Sequence, residues 1–514
     1  MFSLGRVVMA GAAVLGLATN GHADDGLRHV LLISVDGMHE VDLRLWVQNH
    51  PKGALAQLSN RGTTFSNAWT TAPSDSFPGM IAQVTGGTPL SAGVFYDDSY
   101  DRTFFPPSSN CAGTPGAETT YAENLDYNLD DVTGGGKLGD PLSQINPANL
   151  PQTIDASGNC VNVLPHQFIR VNTIFEVLLG HGRHTAWSDK HPAYEILNGP
   201  SGKGIEDLFT PEINSQLPGA PAGQDNTTSF QGVQNYDSIK VNAVLNQIHG
   251  RKSTNDPAGY VPAIFGMNFQ AVSVGQKLFN GGFGDPPGLT GGYADAAGTP
   301  GKGLTLQLQF VDDSIGLMVG DLKTLGLYDH TAIIISAKHG QSPIDRKLLR
   351  RIPDTYSTVL ANDGYGFNIA DDASLIWLDP SKRTNKTLKS SMADLLAASS
   401  ALGIYQILDR NDLKKFYQDP KFDSRTPDFF VVSNKGVVYT GGTKIAEHGG
   451  VADDDRHVGL LVSAPGLEGN TVTDRVFTTQ IAPTILQALG VPWTELQAVQ
   501  IEGTVPLPVF STED

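Results

Sequence analysis

Ser76 heads a short helical pattern. Phe77-Pro78-Gly79 follow it, then the apolar run Met80-Ile81-Ala82-Gln83-Val84, closed by Thr85-Gly86-Gly87. Pro78 near the first helical position fixes the entry. A hydroxyl at a helix N-terminus sits where free N–H groups and the dipole favour an anion. Such a hydroxyl can attack phosphorus once its proton is lost or a nearby cation lowers its pKa. A serine in this position is more often a plain N-cap, so Ser76 gains weight only from its company. Asp36-Gly37 offers a carboxylate after an apolar run, and His339-Gly340 and His448-Gly449-Gly450 each put an imidazole in a Gly-flanked turn. A lone histidine in such a turn is usually structural. Here Asp, Ser and two such His recur in order.

A further polar cluster ends the segment Thr185-Ala186-Trp187-Ser188-Asp189-Lys190-His191. Asp189 and His191, two residues apart, would point to the same side of an extended chain. They are candidates for a ligand role, against the plainer reading of a salt-bridged loop. Asp453-Asp454-Asp455 reads as a solvated acidic turn, with a calcium site as the weaker alternative.

The elements that must position these residues are short apolar runs, each ending in polar residues. His29 to Val35 runs into Asp36-Gly37, and Thr331 to Ala337 runs into Lys338-His339-Gly340. Val261 to Met267 runs into Asn268-Phe269-Gln270, and His457 to Ser463 leads to a Pro-Gly turn. β-Branched runs of this kind read as strands buried on both faces of a mostly parallel sheet. Leu304, Leu308, Val311, Ile315, Met318, Leu322 and Leu325 lie alternately four and three residues apart, the apolar stripe of one long helix. Residues 479–489 form another helix, with Pro483 in its first turn and Gly490 beyond its end. Strands alternating with helices predict one α/β domain with a single core, flanked by helices. In such sheets the ligand crevice lies at the carboxyl ends of the strands, where Asp36, Asn268, Lys338 and His339 fall. Stretches near 96–165 and 198–257 show little apolar periodicity and read as long insertions.

The 514 residues carry a net charge of −18. That field repels a nucleic-acid polymer, and no Lys/Arg-rich run offers an exception. A small anionic substrate remains compatible, because a metal or a lysine can reverse the potential inside one pocket. Residues 1–23 read as a cleavable secretory signal: Arg6, an apolar stretch from Val7 to Ala18, then Gly21-His22-Ala23. A dozen apolar residues cannot span a hydrocarbon core of about 30 Å. The expectation is an exported mature protein of residues 24–514, secreted or periplasmic, without a membrane anchor. The two cysteines, Cys111 and Cys160, could pair in an oxidising compartment.

The ordered set Val35-Asp36-Gly37, Pro73 to Gly86, Ile335 to Gly340, Pro427-Asp428-Phe429, Glu447-His448-Gly449 and Ile481-Ala482-Pro483-Thr484-Ile485-Leu486 resembles the type I phosphodiesterase/nucleotide pyrophosphatase branch of the alkaline phosphatase superfamily. The resemblance implies an alkaline-phosphatase-like fold and a small phosphate-ester substrate. It also implies Ser76 as the nucleophile of a phosphoric ester hydrolase, and a site that binds two zinc ions. Carried over by residue, Asp36, Ser76, His339 and His448 match as metal ligands. Three positions do not. The expected Asp-His-Gly turn reads Lys338-His339-Gly340, so a metal carboxylate has become an ammonium. The expected Asp, with a His four residues on, reads Asn268 and Val272. The expected phosphate-holding Asn falls at Asp97. With two carboxylates fewer, a second dication is hard to hold. The reading is therefore one divalent ion, zinc, rather than two, with Lys338 partly substituting and acting on Ser76 or on a substrate oxygen. Asn268, Asp97, Asp189 and His191 stand as substrate-side candidates. A catalytically impaired binding protein on the same fold is the alternative. A sulfatase is disfavoured because Ser76-Phe77-Pro78-Gly79-Met80 lacks the Arg of that family's pattern.

Overall fold

The computed structural model describes residues 26–120 and 124–510. The expected signal segment at 1–23 lies outside them. Among the described residues, no helix is long and apolar enough to cross a membrane.

Eight strands form the central sheet: β1 (His29–Val35), β2 (Gly62–Phe65), β3 (Ala186–Ser188), β4 (Asp207–Phe209), β5 (Ile264–Phe269), β6 (Thr331–Ser336), β7 (Leu461–Ser463) and β8 (Asn470–Val472). Their order across the sheet is β8-β2-β7-β6-β1-β5-β3-β4. β1 pairs in parallel with both β5 and β6, and β5 continues in parallel to β3 and β4. Only β7 runs against its neighbours, so the mostly parallel sheet expected from the sequence is present. The expected run from His457 to Ser463 is not one strand. His457–Val458 pairs with Ala68–Trp69 in a separate small sheet, and the chain crosses to the central sheet only at Leu461.

The residues of β1 explain why both sheet faces are covered. Val30 and Leu32 belong to one apolar core, Leu31, Ile33 and Val35 to the other. On the first face lies helix α1 (Ser76–Thr85), through Phe77, Met80, Ile81 and Val84. On the second lie α2 (Phe230–Ile248), α3 (Ala271–Lys277) and α4 (Lys302–Thr324). Helix α5 (Ile481–Ala488) joins α1 on the first face, with Pro483 in its first turn and Gly490 beyond its end. The apolar stripe of α4 faces the sheet as expected, except that Leu325 lies past the helix and is exposed. Each buried Leu, Ile or Phe is worth about 1.5–3 kcal/mol, so α1 and α4 are held firmly against the strands whose ends form the site.

Two expectations need correction. The stretch 198–257 is not a mere insertion: it supplies edge strand β4 and helix α2, which packs in the second core. Its polar residues hid it, among them Asp237 and Lys240, which are buried and paired at 3.1 Å. The core is also not single. Strands Tyr365–Ala370, Ala373–Leu378, Phe429–Ser433 and Ile404–Leu408 form a four-stranded antiparallel sheet in that order, and it has its own apolar cluster. The 96–165 stretch carries the Cys111–Cys160 disulfide, with the two Cα atoms 5.7 Å apart.

Candidate active site

The parallel run β6-β1-β5-β3 delivers four carboxyl ends side by side. Asp36 follows β1, Asn268 and Gln270 end β5, Lys338 and His339 follow β6, and Asp189 and Lys190 follow β3. Helix α1 enters the same crevice with Ser76 as its first residue. The N-cap is Asp75, not Ser76: the Asp75 carboxylate accepts from the Phe77 N–H at 3.1 Å, which leaves the Ser76 hydroxyl for other partners.

Those partners are specific. Lys190 Nζ donates to Ser76 Oγ at 3.1 Å and lies 3.6 Å from Asp36 Oδ2. His339 Nε2 is 3.3 Å from Ser76 Oγ and 3.8 Å from Asp36 Oδ2. Nδ1 of His339 faces the Gly340 carbonyl at 2.9 Å, an oxygen that can only accept. Nδ1 therefore carries the proton, and Nε2 is the acceptor turned toward Ser76. Both Asp36 oxygens are engaged by amides, Oδ1 by Asn268 Nδ2 at 2.7 Å and Oδ2 by Gln270 Nε2 at 2.5 Å. Lys338 Nζ sits 3.0 Å from Asp189 Oδ1, 2.8 Å from the Tyr194 hydroxyl and 3.9 Å from Asp36 Oδ2.

Burial alone would raise the Asp36 carboxyl, yet Lys338 foremost, then His339 in its protonated form, and Lys190 hold it well below the usual carboxylate range. Burial likewise opposes a charged Lys190, but Asp36, Asp189, Asp97 and Asp75 raise it above an ordinary lysine. For Lys338 burial wins, helped by the ammonium of Lys190, and its pKa is lowered. His448 lies beside His339 with ring centroids 4.0 Å apart and the ring planes tilted by 40°. Burial, His339 and Lys277 push it well below the ordinary imidazole range, so it is neutral at pH 7. Its Nδ1 lies 3.2 Å from Asp75 Oδ1, but the two atoms are not aligned for a hydrogen bond.

The sequence reading placed Asp36, Ser76, His339 and His448 in one cleft, and they are gathered there. It also nominated Asp189 and His191 as a same-side ligand pair, and the geometry contradicts this. Asp189 is turned inward to Trp187 Nε1, the Lys190 N–H and Lys338, while His191 Nδ1 contacts the Glu212 carboxylate at 2.9 Å. Lys338 was expected to act on Ser76 or on a substrate oxygen; the ammonium that reaches the hydroxyl is that of Lys190. Lys190 went unremarked in the sequence, although it stands between two residues that were singled out. Asn268 spends its amide on Asp36. Asp97 lines the mouth of the pocket above the site, a cavity of about 540 Å³ also bordered by Lys190, His191, Gln270, Lys277, Asp371 and His448. Asp454 and Asp455 are buried rather than solvated, and Asp454 pairs with Lys435 and the Ile344 N–H, so the acidic turn is neither open nor a calcium cage.

The donor set does not fit the metal ions that the sequence resemblance implies. Val272, in the position of the expected histidine, is buried in the second apolar core. Around Asp36 and Ser76, Lys190 stands where a shared cation would stand. At an effective dielectric of about 20, a dication 4 Å from an ammonium meets about 8 kcal/mol of repulsion. One other group among the described residues has metal-ligand spacing: Asp371, Glu447 and His448, with ligand atoms within 4.8 Å of one another. There Glu447 already pairs with Lys277 at 2.7 Å and with Lys444, and Asp371 accepts from the Tyr96 hydroxyl at 3.0 Å.

A family model described as type I phosphodiesterase / nucleotide pyrophosphatase matches residues 30–457. No curated protein matches the chain by sequence. Among solved structures, wild-type alkaline phosphatase PafA is similar with a TM-score of 0.60 at 12% identity, over 92% of this chain and 99% of that one. A multiply substituted variant of PafA gives 0.62 at 12% identity, over 95% and 100%. Murine ectonucleotide pyrophosphatase / phosphodiesterase 5 gives 0.54 at 13% identity, over 94% and 97%. At such identities the likeness to these structures is one of fold.

Proposed function

The chain belongs to the type I phosphodiesterase / nucleotide pyrophosphatase family of phosphoric ester hydrolases, and from that premise we propose that it cleaves a small phosphate ester with Ser76 as nucleophile. The observation that carries this is the pair of contacts on one hydroxyl: Lys190 Nζ at 3.1 Å and His339 Nε2 at 3.3 Å from Ser76 Oγ. In the reaction, Oγ bonds to phosphorus as its proton passes to His339 Nε2. The ester P–O bond breaks, and the leaving oxygen takes that proton. Water then attacks the phosphoserine and gives its proton to Nε2, and Nε2 passes that proton to Oγ as the Oγ–P bond breaks, restoring Ser76 and the neutral imidazole. Lys190 beside Oγ favours the developing negative charge.

Hydrolases of this family work with divalent metal ions. In this chain the metal complement is reduced to one ion at most, a reading supported by Lys338, Asn268 and Val272 at expected ligand positions. Export to an oxidising compartment is supported by the Cys111–Cys160 bond. A second reading, a binding protein that retains the fold without turnover, is favoured by the amide donors that already occupy both Asp36 oxygens. Release of p-nitrophenol from bis-p-nitrophenyl phosphate distinguishes the two. Turnover that disappears in Ser76→Ala is the expected result. Absence of turnover with any divalent metal, combined with retained phosphate binding, would favour the second reading.

A further inference from the structure

The family's metal positions and this chain's residues disagree at the point nearest to Ser76, and that disagreement has a consequence for how an anion is held. We propose that the ammonium groups of Lys190 and Lys338 take the place of the metal between Asp36 and Ser76, so that the site holds a tetrahedral phosphate-type oxyanion with no metal bound. The proposal rests on the reading of Ser76 as the phosphate-facing residue and sharpens it.

Four observations converge. Lys190 Nζ touches Ser76 Oγ at 3.1 Å and stands 3.6 Å from Asp36 Oδ2, bridging the two groups that a shared ion would bridge. Asp36 is already compensated: amide donors sit at 2.7 Å on Oδ1 and at 2.5 Å on Oδ2, with Lys338 Nζ at 3.9 Å. Asp189, the carboxylate beside Lys338, is committed to Lys338 at 3.0 Å and to the Trp187 indole at 2.9 Å, and so is lost as a ligand. Tyr194 fixes Lys338 further, its hydroxyl at 2.8 Å and its ring centroid at 4.1 Å from Nζ.

Charge pairing agrees with the geometry. Asp36 and Asp189 are the two carboxylates within 4 Å of these ammonium groups, so each of Lys190 and Lys338 has a counter-charge without an ion. A dication would leave an uncompensated buried charge, which proteins avoid. An incoming oxyanion instead meets an ammonium fixed at the hydroxyl and the N-terminal end of α1, two features that favour anions.

The test uses the full chain, dialysed against a chelator until metal analysis finds no stoichiometric zinc, manganese, calcium or magnesium. Tungstate, a tetrahedral oxyanion, is titrated by calorimetry into this protein, into the same protein with added zinc, and into Lys190→Met and Lys190→Arg. The expected result is tungstate binding without metal, unchanged by zinc. Lys190→Met should weaken it by about tenfold or more, as for loss of a charge-assisted hydrogen bond, and Lys190→Arg should retain most of it. Binding that needs zinc overturns the proposal, as does metal-free binding that survives in Lys190→Met. Because the parent protein alone decides the first point, a misfolded variant does not rescue the idea. Hydrolysis of bis-p-nitrophenyl phosphate by the same samples separates the two levels. Tungstate binding and hydrolysis that both appear only with zinc sink the metal-free site and keep the esterase. Metal-free tungstate binding without hydrolysis under any condition keeps the site and sinks the esterase.

Discussion

Lys338 Nζ and Asp189 Oδ1 lie 3.0 Å apart with both side chains fully buried. The contact pairs the residue at the expected metal-carboxylate position with another carboxylate beside it, so one ion pair engages both. Breaking it is expected to be costly in two separable ways. Lys338→Asp rebuilds an Asp-His-Gly turn but puts a third carboxylate beside Asp36 and Asp189. Without metal the protein should lose about 3–5 kcal/mol, the usual cost of leaving a buried charge unpaired. Zinc should recover part of this, about 2.7 kcal/mol at a hundredfold excess over its Kd, while the parent gains nothing at this position. Thermal melts of both proteins, with and without zinc, measure this. Equal zinc responses would show that Lys338 is not what excludes the ion.

Gly79 controls how closely α1 approaches the turn after β6. A Cβ on Gly79 would come within 2.2 Å of the Lys338 carbonyl oxygen and 3.0 Å of its Cα, both backbone atoms that cannot swing away. Gly79→Ala should push the first turn of α1 off the Lys338-His339 turn and lengthen the Ser76–His339 contact. Overpacking of this kind costs about 1–3 kcal/mol. A displaced nucleophile commonly loses about 10²-fold in rate. The discriminating measurement is kcat against KM for bis-p-nitrophenyl phosphate, with the loss expected in kcat.

The parts of the site that were legible in the sequence share one physical origin. Asp36, His339 and the Asn268 position each follow a continuous apolar run, and the parallel pairing of β1, β5 and β6 turns three such ends into one crevice. Ser76 was legible because Pro78 and the run after it mark a helix start. Lys190 was not, because strict alternation along 189–191 predicted a ligand pair on one side, whereas the Asp189 side chain folds back onto Trp187. Helix α2 was missed because buried polar residues such as Asp237, Lys240 and Gln247 interrupt its apolar face. The second sheet was missed because in–out alternation is weak there: residues Tyr365–Ala370 are all partly exposed and pair over an irregular register. Asp428 stood within a motif that suggested function, but its position gives it a structural role.

That role can be tested. Asp428 accepts from Arg102 Nη2, Arg383 Nε and Arg410 Nη2, each at 2.7 Å, and from the Leu378 N–H at 2.9 Å. Burial would raise this carboxyl, but the three guanidinium groups hold it down to about 2. A folded-state pKa below the unfolded one gives stability that is present above the unfolded value and lost as pH falls through the folded one. Here the window runs from about pH 4 down to about pH 2. Asp428→Asn should cost about 3–5 kcal/mol at pH 7 by leaving one buried and two partly buried guanidiniums short of a counter-charge. Urea denaturation at pH 7 and at pH 3 measures both effects, and the difference between parent and variant should shrink at the lower pH. A constant difference would mean that the carboxylate charge is not what the arginines need.

Asp126 predicts the opposite sign. Burial raises its carboxyl, the neighbouring Glu212 adds to this, and together they push it up to about 9. Glu212 in turn receives His191 at the edge of the pocket. A carboxyl whose folded pKa lies above the unfolded one is protonated in the native chain while the unfolded chain has released its proton. Stability from such a group is complete below the unfolded value, near pH 4, and is lost as pH rises toward the folded one, near pH 9. Above pH 5 the native protein therefore carries a growing cost at this position, up to about 1.4 kcal/mol for each pH unit. Asp126→Asn removes the proton from the balance while keeping the shape and a donor toward Glu212. The variant should lie close to the parent near pH 5 and exceed it at pH 8 by up to about 4 kcal/mol, three pH units at about 1.4 kcal/mol each. Melting temperatures from pH 5 to pH 9 read this directly, with the variant's profile the flatter of the two. Parallel profiles would show that the Asp126–Glu212 pair sheds its charge by another route.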